Sequence, residues 1–491
     1  MSRKNRLRRI TMAKTIVTKN NTYEVLERKK KIGKGTEPFK LGAGGQGAAF
    51  KVKNVKTGKE VVAKLYHDIT PPAFNKNLED IINMTSPHEA FVWPLEILPA
   101  RPNGAIGFIM DLYDNKVFKK FPDVAIYGTA NFKSRRVMIN ALIEFVSAFE
   151  ALHAKGRCFQ DINEGAIVLD VENGRVRICD CENVAPEGAR IPIGYDKNHK
   201  EIFMQGFPRY KAPEVEIRAM LPDKYTDRYS IAVMIFMILT RCHPLEGKKR
   251  FTFNPEGIVD ANVEKDIYGN NPIFIFDDTN PTNRPDPVED IGAINQWPLI
   301  PDFMKELFKK AFTLGMPVGG KYDEKKKLER TSRPTEKEWR EALMRWMDTL
   351  VPCSNPKCKI SFSARIDQAT LRVNSTCPKC NHNNGYDFPV MRVFRKRALR
   401  RTVLLVPNRE IPLSTISNSN SFESAMQVYK GKTPGVYGIK NLTNNTWTAI
   451  YGPQTLPLTK SDKAPLALTP TILQNGIKIA FDFDFSAEIK R

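Results

Sequence analysis

Two aspartates sit in segments whose residue types suit chemistry on phosphates. Asp161 lies in the segment FQDINEGA, and Asp180 lies in the segment ICDCEN. The chain between them, residues 167–170 and 175–178, has two short apolar runs joined by an Asn-Gly turn, which predicts a β-hairpin. The hairpin would bring the two carboxylates together. Phosphoryl transfer needs such a pair, one carboxylate to accept a proton and one to hold a metal ion.

A glycine-rich segment and a single lysine precede this pair. Residues 42–47 read GAGGQG between two strand-like runs, so these glycines would cap a hairpin and let backbone amides approach phosphates. A plain glycine turn is the alternative. Lys64 follows in the apolar strand VVAKL, where a buried ammonium needs an anion unless it reaches water at a sheet edge. Glu79 is the predicted partner, with Asp80 as the second choice.

Length, charge and composition bound the class of protein. The chain has 491 residues and a formal net charge of +22, which predicts several domains that fold without disulfides and a surface that attracts phosphates. The basic clusters are scattered over residues 6–9, 29–31, 325–327 and 392–401, so a solvated surface is favoured over one nucleic-acid face. Residues 229–239 are apolar but too short to span a membrane, and the basic start lacks a secretory signal. We expect a cytoplasmic protein without membrane contact.

The spacing of apolar residues changes along the chain. Up to about residue 350, the first part of the chain after the basic lead is strand-rich and the rest is helix-rich. Helical spacing is clearest in four segments, residues 142–152, 227–239, 303–312 and 336–347. The pattern predicts an α+β fold with a small sheet lobe and a larger helical lobe.

The ordered set of motifs is similar to the protein-kinase signature. Its members are Gly42, Gly44, Gly47, Lys64, Glu79, Asp161, Asp180, Ala212-Pro213-Glu214, the segment DRYS at 227–230 and Arg333. More narrowly, YKAPEV, TDRYSIAVMIF, HPLEG and FIFDDTNPTNRP resemble a bacterial kinase-like family with a C-terminal zinc ribbon, associated with tellurium-resistance and stress-response systems. The resemblance implies a bilobal protein-kinase-like domain over residues 37–350, with its N-lobe at 37–113 and its C-lobe at 114–350, after a basic lead of residues 1–36.

The resemblance also implies the cofactors ATP and Mg²⁺ or Mn²⁺. The glycines of the loop would cover the nucleotide phosphates, and Lys64, paired with Glu79, would hold the α- and β-phosphates. Asp161 would accept or orient the proton of a substrate hydroxyl, and Asp180 would bind magnesium. The implied catalytic residues are therefore Asp161, Lys64 and Asp180.

Further roles follow from the same resemblance. The adenine would lie against the backbone of residues 110–113, which include Asp111 and Tyr113. Glu214 and Arg333 would form a buried ion pair that braces the helical lobe. Asp227 would tie the catalytic loop to the central helix.

Three residues depart from the pattern of an active kinase. Ala166 stands where a second metal ligand is expected, Asn163 replaces a lysine that neutralises the γ-phosphate, and Phe207 replaces a supporting threonine. Such losses should reduce turnover more than nucleotide binding. Binding of the metal by Asn163 or Glu164 instead is an open alternative.

Regulation also departs from the pattern. Gln160 stands where an arginine would bind an activation-loop phosphate, and residues 181–211 contain no serine or threonine. This excludes activation by Ser/Thr phosphorylation within that segment. We expect partner binding to replace it.

Four of the eight cysteines form a separate group in two close pairs. They are Cys353, Cys358, Cys377 and Cys380. Two tight turns that each supply two thiolates suit tetrahedral Zn²⁺, which predicts a structural zinc ribbon over residues 351–388. His382 is an alternative ligand placed awkwardly close to Cys380, and free reduced cysteines are the other reading.

Residues 389–491 alternate short apolar runs with Pro, Gly and Asn turns, which predicts a small β domain. Its rhythm is loosely similar to forkhead-associated folds, but no phosphothreonine-reading set is recognisable. A protein-docking module is the modest interpretation.

Two functions of different class follow from these observations. The first is a Ser/Thr protein kinase that transfers the γ-phosphoryl group of ATP to protein hydroxyls, weakly or only with a partner. The second is a pseudokinase, a nucleotide-sensing scaffold whose ribbon and β domain dock partner proteins. An unrelated kinase-fold transferase and a nucleic-acid-binding role centred on the ribbon and residues 392–401 are less favoured.

Overall fold

The computed structural model describes residues 14–30, 34–204, 206–253, 256, 258–419, 421–461 and 464–491. The basic cluster at residues 6–9 and most of the predicted basic lead lie outside the described residues. The chain divides into two compact units. The first unit comprises Met1–Asn295 and Glu306–Arg340, and the second comprises Gln296–Lys305 and Glu341–Arg491.

Nine strands open the described part of the first unit. They are β1 (Thr15–Val17), β2 (Thr22–Val25), β3 (Glu27–Lys29), β4 (Thr36–Pro38), β5 (Lys40–Ala43), β6 (Gly47–Asn54), β7 (Glu60–Tyr66), β8 (Pro94–Leu98) and β9 (Gly107–Asp111). Seven of them form one antiparallel sheet of order β1-β2-β6-β7-β9-β8, in which β5 also pairs with β6. Strands β3 and β4 form a separate hairpin.

Strand β7 shows why this sheet forms where it does. Its apolar residues Val61, Ala63 and Leu65 join a buried core with Val52 and Ile109. Apolar β-branched residues at alternate positions favour a half-buried strand. Lys64 therefore faces the opposite side of the sheet from this core.

Ten helices lie between residues 72 and 349 of the described chain. They are α1 (Pro72–Asn83), α2 (Phe121–Ala125), α3 (Arg135–His153), α4 (Pro213–Glu216), α5 (Lys224–Thr240), α6 (Ala261–Lys265), α7 (Ile291–Gln296), α8 (Asp302–Thr313), α9 (Glu324–Glu329) and α10 (Glu336–Thr349). The four segments of predicted helical spacing fall within α3, α5, α8 and α10, so those predictions are confirmed. Among the described helices, none has the length and apolar character to cross a membrane.

Helix α5 is the most enclosed of these helices. Apart from Lys224, Tyr225 and Arg228, all of its residues are buried. Its start is fixed by a capping box, in which the Asp223 carboxylate accepts from the backbone amides of Tyr225 and Thr226 and the Thr226 hydroxyl oxygen accepts from the backbone amide of Asp223. It ends at Arg241 in a left-handed conformation, with φ at 60°. The buried apolar run at residues 229–239 is therefore a core helix.

Seven short strands follow β9 in the first unit. They are β10 (Phe118–Lys120), β11 (Arg157–Phe159), β12 (Ile167–Asp170), β13 (Arg175–Ile178), β14 (Val184–Pro186), β15 (Pro192–Tyr195) and β16 (Glu201–Phe203). Strand β12 pairs with β10 and β13, β11 pairs with β14, and β15 pairs with β16. The register of β12 and β13 runs from Ile167 opposite Ile178 to Asp170 opposite Arg175, so the predicted hairpin is confirmed.

The second unit is rich in strands. They are β17 (Leu350–Pro352), β18 (Ser361–Ser363), β19 (Arg365–Ile366), β20 (Val373–Asn374), β21 (Val390–Arg395), β22 (Ala398–Leu404), β23 (Glu410–Pro412), β24 (Ser424–Lys430), β25 (Tyr437–Asn441), β26 (Trp447–Tyr451), β27 (Gln454–Leu458), β28 (Leu466–Leu468), β29 (Ile477–Ala480) and β30 (Phe485–Lys490). Two short helices, α11 (Leu413–Ile416) and α12 (Pro470–Asn475), lie among them.

The strands after residue 389 form two sheets over one core. A six-stranded sheet has the order β22-β21-β30-β29-β26-β27, and a four-stranded sheet has the order β23-β24-β25-β28. Buried residues of both sheets, such as Val393, Ile479, Met426 and Ile439, belong to the same apolar cluster. Two sheets that each bury one face against the other give a sandwich-like core.

Candidate active site

The glycine-rich loop joins β5 to β6, as the sequence predicts. The amide of Gly44 donates to the carbonyl of Gly47 at 2.9 Å, which closes the turn. Open space surrounds Gly42 and Gly44, whereas a Cβ at Gly47 would lie 2.3 Å from the carbonyl oxygen of Leu65. Gly42 and Gly44 therefore leave room for a ligand, and Gly47 is required for close packing of β6 on β7.

The ammonium of Lys64 lies between two carboxylates. Its Nζ is 2.7 Å from Oδ1 of Asp180 and also contacts Oε1 of Glu182. Burial alone would lower the pKa of Lys64, but the charges of Glu182 and Asp180 outweigh burial and raise it above its ordinary value. Lys64 is therefore held as a cation beside Asp180.

The predicted partner of Lys64 is wrong. Glu79 is exposed on α1, and Asp80 on the same helix pairs with Lys76 instead. Glu182 fills the partner's place, because its side chain is only 2% exposed and lies against the ammonium. A buried lysine is stabilised by the anion that shares its low-dielectric surroundings, and an exposed carboxylate cannot compete with it.

Sequence reasoning missed Glu182. Burial raises the pKa of the Glu182 carboxyl, and the positive charge of Lys64 opposes this rise. Within the described chain its Oε2 atom is buried without a hydrogen-bond partner. The signal available in the sequence was an acidic residue two positions after Asp180 in an apolar run, opposite a lysine that needed an anion.

Asp161 and Asp180 are brought to one place by the β12–β13 hairpin. The backbone amide of Cys179 donates to the carbonyl of Ala166 at 2.7 Å, so the end of the loop that contains Asp161 is tied to the residue before Asp180. Burial raises the pKa of Asp161 to about 6; Asp180 acts in the same direction, and Asn163 opposes it. Asp180 itself has φ at 57°, a left-handed conformation that costs energy in a residue other than glycine.

The loop after Asp161 is closed by its own side chains. Asn163 accepts from the amide of Gly165 at 2.7 Å and donates to the carbonyl of Asp161 at 3.0 Å. Glu164 accepts from the hydroxyl of Tyr210 at 2.5 Å. Both side chains that were alternative metal ligands are therefore engaged elsewhere, and Ala166 is buried without a polar side chain.

The two residues predicted beside the adenine are placed differently. Asp111 is exposed at the end of β9, where it pairs with Lys59 at 2.7 Å. Tyr113 is half-buried, and burial together with the Cys179 thiol raises its pKa to about 12. Tyr113 therefore lies next to the residue that precedes Asp180, whereas the side chain of Asp111 is turned to the surface.

The predicted brace of the helical part is present. Arg333 donates to both carboxylate oxygens of Glu214, at 2.7 and 3.0 Å, and both side chains are fully buried. Asp227 accepts from the backbone amide of Phe159 at 2.7 Å and lies 2.9 Å from Nε2 of His153. The start of α5 therefore holds the strand that leads into Asp161, as predicted.

A cavity beside Asp161 is lined by the segment that precedes α4. Gly206, Phe207 and Lys211 line it together with Asp161. Phe207 is 60% exposed, and Gln160 donates to the carbonyl of Ala189 at 2.7 Å. The segment is thus fastened near its start by a neutral hydrogen bond, where the kinase pattern has an arginine.

The four cysteines of the second unit converge. Their Sγ atoms all lie within 4.8 Å of one another, with Cys353 and Cys380 at 3.8 Å and Cys358 and Cys377 at 3.8 Å. Tetrahedral Zn²⁺ with Zn–S bonds of about 2.3 Å separates its sulfurs by about 3.8 Å, so the donor set fits this ion. His382 contacts Ser354 at 3.0 Å through Nε2 and is not among the residues of this cluster.

Comparison with known proteins agrees with this geometry. Residues 36–267 match the family model of the protein kinase domain. The chain is 25% identical over 229 residues to the serine/threonine-protein kinase Pkn1 of Myxococcus xanthus, an alignment that covers 45% of this chain and 29% of that protein. The chain thus spans less than a third of that relative's length. These similarities support a bacterial protein-kinase-like protein with mixed α and β structure, while the link to tellurium resistance stays a prediction.

Proposed function

We propose that this protein is an ATP-dependent kinase that phosphorylates serine or threonine hydroxyls of a protein substrate. The observation that carries the proposal is the convergence of Lys64, Asp161 and Asp180 in a chain that also has an open glycine loop. The similarity to a serine/threonine-protein kinase supports the choice of acceptor. The arrangement suits a two-lobed nucleotide site, with the sheet on one side and the helical part on the other.

The donor set fits a divalent cation. Asp180 and Glu182 supply carboxylate oxygens, which Mg²⁺ and Mn²⁺ prefer. Among the described residues, Oε2 of Glu182 and Oδ1 of Asp161 are buried without hydrogen-bond partners, so the site has acceptors to spare for a cation or a hydroxyl. Asp180 and Glu182 would hold the ion, which supplies charge neutralisation at the phosphates when bound.

The remaining roles belong to the chain. The backbone at Gly42 and Gly44 would bind the phosphates, and Lys64 would orient them. In the transfer, the bond between the γ-phosphorus and the β–γ bridging oxygen breaks and its electron pair leaves with ADP. A bond forms between the acceptor oxygen and the γ-phosphorus. The hydroxyl proton passes to the carboxylate of Asp161, whose pKa of about 6 suits a base near neutral pH.

A nucleotide-sensing scaffold is the second candidate, and a specific observation favours it. Asn163 is engaged within its own loop, Glu164 is engaged by Tyr210, and Ala166 offers no ligand, so the site holds fewer metal ligands than the kinase pattern expects. Such a protein would bind ATP and dock partners through the four-cysteine ribbon and the β sandwich. On the resemblance of YKAPEV and the neighbouring motifs, the proposed setting of either function is a cytoplasmic stress response of the tellurium-resistance kind.

Transfer of label from ATP tests the choice. Wild type, Asp161→Asn and Asp180→Asn are incubated with labelled ATP, Mg²⁺ or Mn²⁺ and a mixture of acceptor proteins. Asp278→Asn is the control, because Asp278 is an exposed aspartate that pairs with Lys309 on the surface. Transfer by wild type and the control but by neither site variant supports the kinase. Metal-dependent ATP binding without transfer in any condition supports the scaffold.

A further inference from the structure

The residues that usually neutralise the transferred phosphate are absent from their expected places. Asn163 carries no charge, and its side chain is used to close the loop after Asp161. Phe207 is apolar and largely exposed. A transferred phosphoryl group carries charge on its outer oxygens, so a site without a cation near the base would be electrostatically incomplete.

A different lysine reaches this part of the site. Lys211 follows a turn in which its amide donates to the carbonyl of Phe207 at 3.1 Å, directly before α4. It lines the same cavity as Asp161. Lys211 therefore lies at the end of the segment of residues 181–211, and not in the loop that contains Asp161.

Gly206 lies between the side chains of Lys211 and Asp161, close to both. A Cβ built on Gly206 would lie 3.5 Å from Cδ of Lys211 and 3.7 Å from Oδ1 of Asp161. The glycine has φ at 64°, so another residue would be strained there, although both distances are ordinary van der Waals contacts. The stem of Lys211 and the carboxylate of Asp161 therefore flank one glycine, and the lysine lowers the pKa of that carboxyl against the effect of burial.

Glu216 fixes the direction of this lysine. Its Oε2 atom is 2.5 Å from Nζ of Lys211, and the two side chains are only 20% and 17% exposed. Lysine is a compact point charge on a flexible stem, so a fixed partner reduces the positions that its ammonium samples. Glu216 is accordingly a positioning residue for Lys211.

We propose that Lys211 supplies the positive charge that faces the γ-phosphate, in place of the lysine that Asn163 replaces. The proposal rests on the proposed function for its catalytic meaning, but its first consequence is a binding preference. In the transfer described above, the ammonium keeps its proton and only offsets charge on the three outer oxygens. A cation at that place should favour ATP over ADP, because ADP lacks the γ-phosphate.

The test compares the affinities of ATP and ADP by calorimetry in the presence of Mg²⁺, using the full chain. The variants are Lys211→Met and Lys211→Gln, which remove the charge, and Lys211→Arg, which keeps it. Lys200→Met is the matched control, because Lys200 is an exposed lysine of the same segment. Melting temperatures identify any variant that fails to fold, and having two neutral variants guards against that failure.

We expect wild type, Lys200→Met and Lys211→Arg to bind ATP more tightly than ADP. In Lys211→Met and Lys211→Gln the ratio of the two affinities should fall by about fivefold, mainly through weaker ATP binding. An unchanged ratio in a folded neutral variant would overturn the role of Lys211, and so would a wild type without preference for ATP. Absence of label transfer by wild type overturns the proposed kinase activity alone, since the affinity ratio is measured without turnover.

Discussion

Glu182 and Lys64 form a buried ion pair between residues 118 positions apart in the sequence. The pair links strand β7 of the sheet to the turn that follows Asp180. It occupies the role that the sequence assigned to Glu79 on α1. Lys64 is therefore oriented by the turn that contains Asp180 and Glu182, and not by helix α1.

Substitution of Glu182 and of Glu79, each by glutamine, should show which of the two is the partner of Lys64. Glu182→Gln should lower the free energy of unfolding by about 1–3 kcal/mol, because it removes the more deeply buried of the two anions that hold Lys64 and leaves only Asp180, whose side chain is 41% exposed. Glu79→Gln, at an exposed position of α1, should change it by no more than about 0.5 kcal/mol. Urea unfolding of both variants measures the difference. Equal changes in the free energy of unfolding for the two substitutions would contradict the assignment of Glu182 as the partner of Lys64.

The rate of phosphoryl transfer should depend on the ionisation of Asp161. Its pKa is raised to about 6 by burial, with Asp180 adding to the effect, and only the ionised form can accept the hydroxyl proton. We expect kcat to be level above about pH 7 and to fall about tenfold per pH unit well below 6. A pH profile of kcat checks this. A rate that stays level down to pH 5 would remove Asp161 from the role of base.

Asp161→Asn should make the protein more stable while it abolishes transfer. A carboxyl whose pKa is raised on folding is destabilising when ionised, so at pH 7 the ionised Asp161 opposes folding. Replacement by the neutral amide should raise the free energy of unfolding by about 1–3 kcal/mol at pH 7. The gain should shrink at pH 5, where the carboxyl is protonated. Thermal unfolding at both pH values measures it, and a loss of stability at pH 7 would contradict the burial argument.

His153 should make stability depend on pH above neutrality. Burial lowers its pKa, but the carboxylates of Asp227 and Glu336 outweigh burial and raise it to about 9. A histidine whose pKa is raised on folding stabilises the fold below its unfolded value of 6.5, and the contribution is lost as the pH rises through 9. We expect about 1–3 kcal/mol of stability to disappear between these values. His153→Gln should lose that pH dependence, whereas a parallel decline in variant and wild type would contradict the assignment.

Metal content tests the four-cysteine site. We expect one zinc ion per chain in reduced wild type, and its loss should lower the melting temperature because structural zinc contributes directly to folding. Cys377→Ser should release the ion. His382→Ala is the matched control and should retain it, because the His382 side chain contacts Ser354 and its backbone contacts with Cys377 and Cys380 survive the substitution. Equal loss of zinc from both variants would make His382 a ligand.

The local part of this architecture was readable from the sequence, but its long-range pairing was not. The Asn-Gly turn identifies the β12–β13 hairpin, and the spacing of apolar residues identifies α3 and α5, because both depend on neighbours in the chain. The close cysteine pairs predict the convergence of the four thiols for the same reason. The partner of Lys64 depends on which carboxylate the fold buries, and exposure of Glu79 is a property of the folded chain alone. Lys211 was missed likewise, since its approach to Asp161 depends on the path of the segment through Gly206.

The hydrogen bond between Gln160 and the carbonyl of Ala189 has a consequence for solution conditions. Both groups are neutral, so mobile ions do not screen their interaction as they would screen an arginine bound to a phosphate. This hydrogen bond should therefore be as firm in concentrated salt as in dilute buffer. A change in ionic strength should therefore not regulate the protein through this contact.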